Sequence, residues 1–136
     1  MILMPFLILG AIEQPSFSKG QKKEPAYQSD LYLYRVITGT LFCTARSAGM
    51  EFPKAGRLAA ITQVDLIDSR HEGVLSNVGK QKKQKLSRKQ LFGGAEISVI
   101  QAGIQYCPEK VPDDVKAKLK ELEEKVENEI DKKWFY

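Results

Sequence analysis

A change of periodicity at Pro112 constrains this chain more than any other feature. Beyond it Val115, Leu119, Leu122, Val126 and Ile130 recur at steps of 4, 3, 4 and 4. That spacing draws one apolar stripe down a helix of about five turns. Pro112-Asp113-Asp114 is a helix-start signal, because acidic residues are favoured by the N-terminal dipole. Glu121 stands four residues before Lys125, and Lys132-Lys133 suit the C-terminal dipole. Upstream, the apolar residues come in short runs punctuated by Gly and Pro. The expected layout is a β-rich domain over 1–111 and an amphipathic helix over 112–136. That helix either packs on the domain or serves assembly, a homodimer included.

The β reading rests on particular segments. Residues 6–13 (FLILGAIE) read as a buried first strand closed by Gln14-Pro15. Residues 16–29 carry Gly20, Pro25 and three lysines and read as a turn-rich connection. In Asp30 to Ala45, Leu31, Leu33, Arg35 and Ile37 alternate with Tyr32, Tyr34 and Val36. Gly39 is expected to mark a bulge or bend. Residues 46–57 read as a loop. Residues 58–68 fit either a strand or a helix face, and Ile61, Thr62 and Val64 tilt the reading to strand. Residues 73–79 suit a short strand and 94–107 a longer one, kinked at Gly103.

The 136 residues suit one domain, and 43% apolar with 28% charged residues is ordinary globular usage. Met1 to Ile12 is the most apolar stretch, yet it stops at Glu13, short of the roughly 20 residues a bilayer span needs. No membrane partner is expected. The stretch is read as a strand in preference to a processed segment, since no Lys precedes it and Pro5 interrupts it. Cys43 and Cys107 form no C-x-x-C pair. They could pair across a sheet, but two core thiols in a reducing cytoplasm is the preferred account.

The net charge of +4 is unevenly spread. Residues 1–112 carry 15 Lys and Arg against 9 Asp and Glu, whereas residues 113–136 carry 6 against 8. Lys80, Lys82, Lys83, Lys85, Arg88 and Lys89 put six positive charges into ten residues without an acid. Lys19, Lys22 and Lys23 form a second cluster. Two such loops on one side of a small sheet would make a groove for a polyanion, whose neutralised phosphates release counterions. The plain alternative is that residues 79–90 are a solvated loop that keeps the protein soluble. Tyr27, Tyr32 and Tyr34 beside the first cluster favour single-stranded nucleic acid, where stacked bases each contribute roughly 1–3 kcal/mol. Tyr side chains also serve cores with the hydroxyl at the edge, so one face of these rings has a structural account too.

The opening third carries a resemblance. Ile8-Leu9-Gly10-Ala11, then Ser18-Lys19-Gly20, Lys22-Lys23, Pro25-Ala26-Tyr27 and a strand starting at Leu31 resemble small single-stranded-DNA-binding proteins of filamentous phages and plasmids. The resemblance spans residues 6–35. It implies a five-stranded OB-like β-barrel, often dimeric, coating replication intermediates with little sequence preference. It would make Lys19, Lys22, Lys23 and Tyr27 DNA contacts. The residues at 79–90 and the C-terminal helix have no counterpart in it.

Catalysis finds little support. His71 is the only imidazole, set among charged residues and expected to be exposed. No nucleophile-elbow pattern surrounds Ser69 or Ser76, and Gly79-Lys80 lacks the Ser or Thr of a phosphate loop. Asp65 and Asp68 would share a face only on a helix. No cofactor and no metal are expected, one His and two Cys being too few for most metal centres. The expectation is a mainly β protein, an OB-like β-barrel with one C-terminal amphipathic helix, acting as a non-catalytic single-stranded nucleic-acid binder in the cytoplasm. Its alternative is an adaptor whose helix forms the main interface.

Overall fold

The computed structural model describes residues 23–78 and 81–134. Their order is α1 (Gln28–Ser47), α2 (Phe52–His71), β1 (Val74–Val78), β2 (Gln81–Lys85), α3 (Arg88–Tyr106), a single 3-10 turn at Pro108–Lys110 and α4 (Asp113–Trp134). This is a helical fold with one hairpin. The expected OB-like barrel is overturned: residues 30–45 lie in α1, 58–68 in α2 and 94–106 in α3. The strand expected at 6–13 lies outside the described residues.

The correction has a clear physical source. Within 30–45 the apolar residues alternate, but a second period runs through them. Tyr34, Thr38, Phe42 and Ala45 follow steps of 4, 4 and 3, and all are buried in α1. A strand would have placed Leu33 and Ile37 together on its inner face, yet they are 53% and 44% exposed. In α2 the buried face is largely alanine, Ala55, Ala59 and Ala60 leading to Val64 and Ile67. In α3 it is Leu91, Ala95, Val99 and Ala102. Small residues on that period bring helices close together, and close helix packing outweighs the modest β preference of Thr, Val and Ile.

Gly39 and Gly103 show how close. A Cβ on Gly39 would stand 2.6 Å from the Ala102 Cβ, and one on Gly103 would stand 2.7 Å from the Phe42 ring. Neither glycine is a bulge or a kink. Each is a site where the bare backbone of one helix lies against a side chain of the other. The contacts Gly39–Ala102, Phe42–Gly103 and Cys43–Cys107 advance in the same direction along both helices, so α1 and α3 run parallel. α2 packs against both. Two apolar clusters result, one around Phe42, Ala59 and Val99, the other around Tyr34, Val64, Leu75 and Leu91. Phe42 is fully buried, with Phe52 edge-on to it at 5.8 Å between centroids. Truncating a Phe so placed to Ala costs about 3–5 kcal/mol.

Turns fall where the backbone requires them. α2 ends with Glu72 at φ 53 and Gly73 at φ 74, two left-handed residues in succession that swing the chain from helix into β1. Ser87 starts α3 by accepting the Gln90 N–H, while the Gln90 side chain takes the Ser87 N–H at 2.9 Å, a reciprocal capping box. β1 and β2 pair antiparallel, with Val74 opposite Lys85 and Ser76 opposite Lys83. Ala26 bridges β1 on its other side, through N–H and C=O bonds to Val74 and Ser76. The strand expected at 73–79 is therefore β1, whereas the expected loop at 79–90 contains β2 and the start of α3.

The C-terminal helix begins at Asp113, as its acidic start signal indicates. Val115 packs on the Phe42 cluster and Leu119 is buried, but Leu122 and Val126 are exposed. The two cysteines form a disulfide with Cα atoms 6.0 Å apart, tying α1 to the end of α3. The preferred reading of Cys43 and Cys107 as core thiols is corrected accordingly.

Candidate functional site

Two surfaces are candidates for a binding role: the basic hairpin, and a cleft between the N-terminal halves of α1 and α3. Lys82, Lys83 and Lys85 are exposed on β2, and Lys89 is exposed on the first turn of α3. Opposite Val74 and Ser76, Lys85 and Lys83 share the outward face of the hairpin, since the intervening Leu75 points into the core. No acidic side chain among the described residues forms a salt bridge with these four lysines. Their second role is structural. Among the described residues β2 is an edge strand in a two-stranded sheet, and lysines on an edge discourage pairing with other chains.

Other expected nucleic-acid contacts are placed differently. Tyr34 is 4% exposed, and its hydroxyl lies 2.8 Å from His71 Nε2. It is a core residue and offers no face to a base. Arg88 is held by both Asp65 and Asp68, at 2.5 and 2.7 Å, which raises its guanidinium pKa further and engages one donor on each of its terminal nitrogens. Because α2 is a helix, those carboxylates lie one turn apart on one face. Lys23 is exposed, but its ammonium donates to the Ser69 carbonyl near the C-terminus of α2. Tyr27 precedes α1 and Tyr32 lies on it, and both rings are exposed. Lys19, Lys22 and Lys80 lie outside the described residues.

His71 is not the exposed side chain expected. It closes α2 and is buried. The Glu24 carbonyl, 2.8 Å from Nδ1, can only accept, so Nδ1 carries a proton; with the ring neutral, Nε2 accepts from the Tyr34 hydroxyl. Burial pushes the Tyr34 phenol above its ordinary value, with Arg70 opposing and Asp30 adding to the shift. Both ring nitrogens thus hold the 24–26 segment and α1 against α2. Among the described residues no cluster of three His, Cys, Asp or Glu could hold a metal. No described helix is long and apolar enough to cross a membrane.

The cleft is the feature the sequence reading missed. Its cavity is about 310 Å³, floored by Leu31, Ile67, Leu75 and Leu91 and rimmed by Gln28, Tyr32 and Gln90. Arg35 lines it from α1, and Gln63 and Ser98 line it from α2 and α3. Gln63 is fixed from both sides, its Oε1 3.1 Å from Thr38 Oγ1 and its Nε2 3.3 Å from Ser98 Oγ. A sequence signal did exist: Arg35 is the single charge between Leu31 and Ala45. A second groove of about 630 Å³ lies between Phe52 and Pro53 of α2 and Phe92, Ile97 and Ile100 of α3, with Arg57 and Glu96 also lining it.

Comparison with known proteins yields one relationship. No curated protein and no solved structure matches the chain. Residues 29–133, well over half of the sequence and spanning all four helices and the hairpin, match the family described as a domain of unknown function, DUF8650. The chain belongs to the DUF8650 family.

Proposed function

We propose that this protein is a non-catalytic binding module whose basic hairpin engages a polyanion, with single-stranded nucleic acid as the form that also uses Tyr27 and Tyr32. The observation that carries the reading is the exposure of Lys82, Lys83, Lys85 and Lys89 on a hairpin and adjoining helix turn, without acidic partners among the described residues. A surface of that kind gains affinity by counterion release and needs no sequence readout. Tyr32 lines the cleft alongside Leu86 and Gln90, so an exposed ring borders the hairpin's exit into α3. Helices and one hairpin present these groups, and no barrel groove is involved. The disulfide supports a compartment oxidising enough to keep it, in place of the reducing cytoplasm.

Fluorescence anisotropy of labelled oligo-dT at two salt concentrations tests the reading. Binding should weaken steeply with salt, by a logarithmic slope of roughly −0.7 per phosphate neutralised. Absence of binding at low salt removes the reading. One observation favours a second: the α4 stripe leaves the body after Leu119, so Leu122 and Val126 stand exposed on an amphipathic helix. An adaptor role predicts that Leu122→Asp with Val126→Asp abolishes self-association or partner capture in size-exclusion chromatography. Oligo-dT affinity would not change.

A further inference from the structure

We infer, resting on the polyanion reading of the hairpin, that the outer edge of β2 takes up an extended peptide with acidic residues at alternate positions, as an added strand. The backbone bonds around the hairpin identify that edge. The Ala26 N–H donates to the Val74 carbonyl at 2.8 Å, and the Ser76 N–H donates to the Ala26 carbonyl at 2.9 Å. Val74 and Ser76 therefore turn their backbone polar groups away from β2. Their antiparallel partners, Lys85 and Lys83, turn theirs away from β1. The Leu86 N–H donates back across the hairpin to the Gly73 carbonyl at 3.0 Å, as this alternation requires.

Lys83 and Lys85 thus each present an N–H and a C=O to the outer side of the hairpin, and among the described residues these groups have no backbone partner in another element. Donors and acceptors alternating along an edge are matched by an extended peptide, which pairs with both. A nucleic-acid backbone offers acceptors and no regular N–H, so it leaves the carbonyls unpaired. Charge then selects among peptides. The Lys83 and Lys85 side chains lie two residues apart on the outward face, and Lys82 and Lys89 add charge on the hairpin and the helix turn that follows. None of these lysines has an acidic salt-bridge partner among the described residues. Like charges opposite each other on neighbouring strands repel and opposite charges attract. The lysines therefore turn away a second copy of this edge and favour a strand whose acidic residues, also two apart, fall opposite Lys83 and Lys85.

The probe is a labelled, end-blocked hexapeptide of alternating Glu and Thr, titrated with the full chain at low salt and followed by fluorescence anisotropy. It should bind saturably, and roughly fivefold or more tightly than its isomer with the Glu residues contiguous, which carries equal charge in another pattern. Two N-methylated forms, one methylated at every Glu and the other at every Thr, should differ. Only alternate residues of an added strand turn their N–H toward β2, so one form keeps binding and the other loses roughly tenfold or more. Lys83→Pro beside Lys83→Gln isolates the backbone donor on the protein. Both remove the charge, but only proline removes the outward N–H, at an edge position that loses no bond to β1. Lys83→Pro should bind the peptide roughly tenfold more weakly than Lys83→Gln, while oligo-dT, which answers to charge, should bind the two alike.

Circular dichroism and urea melts confirm that each variant folds. If Lys83→Pro does not fold, the two N-methylated peptides still decide on the natural chain. Equal affinity for the alternating peptide and its isomer, equal behaviour of the two N-methylated forms, or equal peptide affinity of folded Lys83→Pro and Lys83→Gln overturns the inference. Oligo-dT binding without peptide binding overturns it alone and leaves the hairpin to nucleic acid. Absence of both removes the polyanion reading with it. Self-association in size-exclusion chromatography that Lys83→Pro abolishes would assign the edge to a second copy and overturn the inference as well.

Discussion

The parallel helices α1 and α3 meet in two different ways along their length. Toward their C-terminal ends they are closed: Gly39 lies on Ala102, Phe42 on Gly103, and Cys43 is bonded to Cys107. Toward their N-terminal ends they stand apart, and Arg35, Gln63, Ser98 and Gly94 border a cleft. Both ends contain glycines on α3, yet with opposite uses. Gly103 is needed because a side chain would strike the Phe42 ring, whereas Gly94 faces empty space. The same residue type therefore reports close packing at one end and an opening at the other.

The largest test of that contrast is removal of the staple. Cys43 and Cys107 close a loop with a sequence separation of 64, for which chain-entropy reasoning gives about 4 kcal/mol of stabilisation. Cys43→Ser with Cys107→Ser should lower urea stability by about 2–4 kcal/mol, with the α1–α3 junction loosening first in hydrogen exchange. A change of under half a kcal/mol would mean that packing alone closes the junction.

At the open end the corresponding tie is Tyr34 to His71. Tyr34→Phe leaves a buried imidazole nitrogen without its donor and should cost about 1–3 kcal/mol. The tie also has a pH signature. Burial raises the Tyr34 phenol above its ordinary 10.0, so the neutral form is favoured in the fold. Its contribution is therefore fully present below pH 10.0 and declines as pH rises toward the folded value. Chemical denaturation of the natural chain should show a steeper loss above pH 10.0 than Tyr34→Phe does. Equal slopes would remove Tyr34 from the account.

The smallest effect belongs to the hairpin. Lys82→Gln, Lys83→Gln and Lys85→Gln together should change stability by less than about 0.5 kcal/mol per site, as exposed substitutions do. Oligo-dT affinity should nonetheless fall. A large drop in stability, or aggregation through the β2 edge, would show that these lysines chiefly guard the strand.

The C-terminal helix was legible because its stripe consists of Val, Leu and Ile, residues that stand out as core. The other three helices were not, because their buried faces rely on Ala, Gly and Thr. Ala55-Ala59-Ala60 and Ala95-Val99-Ala102 keep helical spacing but carry little apolar weight. Meanwhile Leu33 and Ile37 are prominent and exposed. Local signals were nevertheless present. Ser87-x-x-Gln90 spells a capping box, Pro53 sits in the first turn of α2, and Gly73 follows that helix at a left-handed turn. Reading those boundaries before the alternation would have placed α2 and α3. The basic cluster was legible as charge but not as a hairpin, and Arg88 looked available because Asp65 and Asp68 align only on a helix. The cleft could not be read from the chain, since Arg35, Gln63 and Gly94 meet only after three helices pack.

The contrast between the two ends is tested most directly by urea denaturation of Gly94→Ala beside Gly103→Ala. Both changes improve helix propensity by about 0.5–1 kcal/mol, so any difference between them reports the space around each position. Gly94→Ala should stabilise by about that amount, while Gly103→Ala should destabilise by about 1–3 kcal/mol as the new methyl forces Phe42 to move. Effects of the same sign at the two positions would contradict an account in which these helices are closed at one end and open at the other.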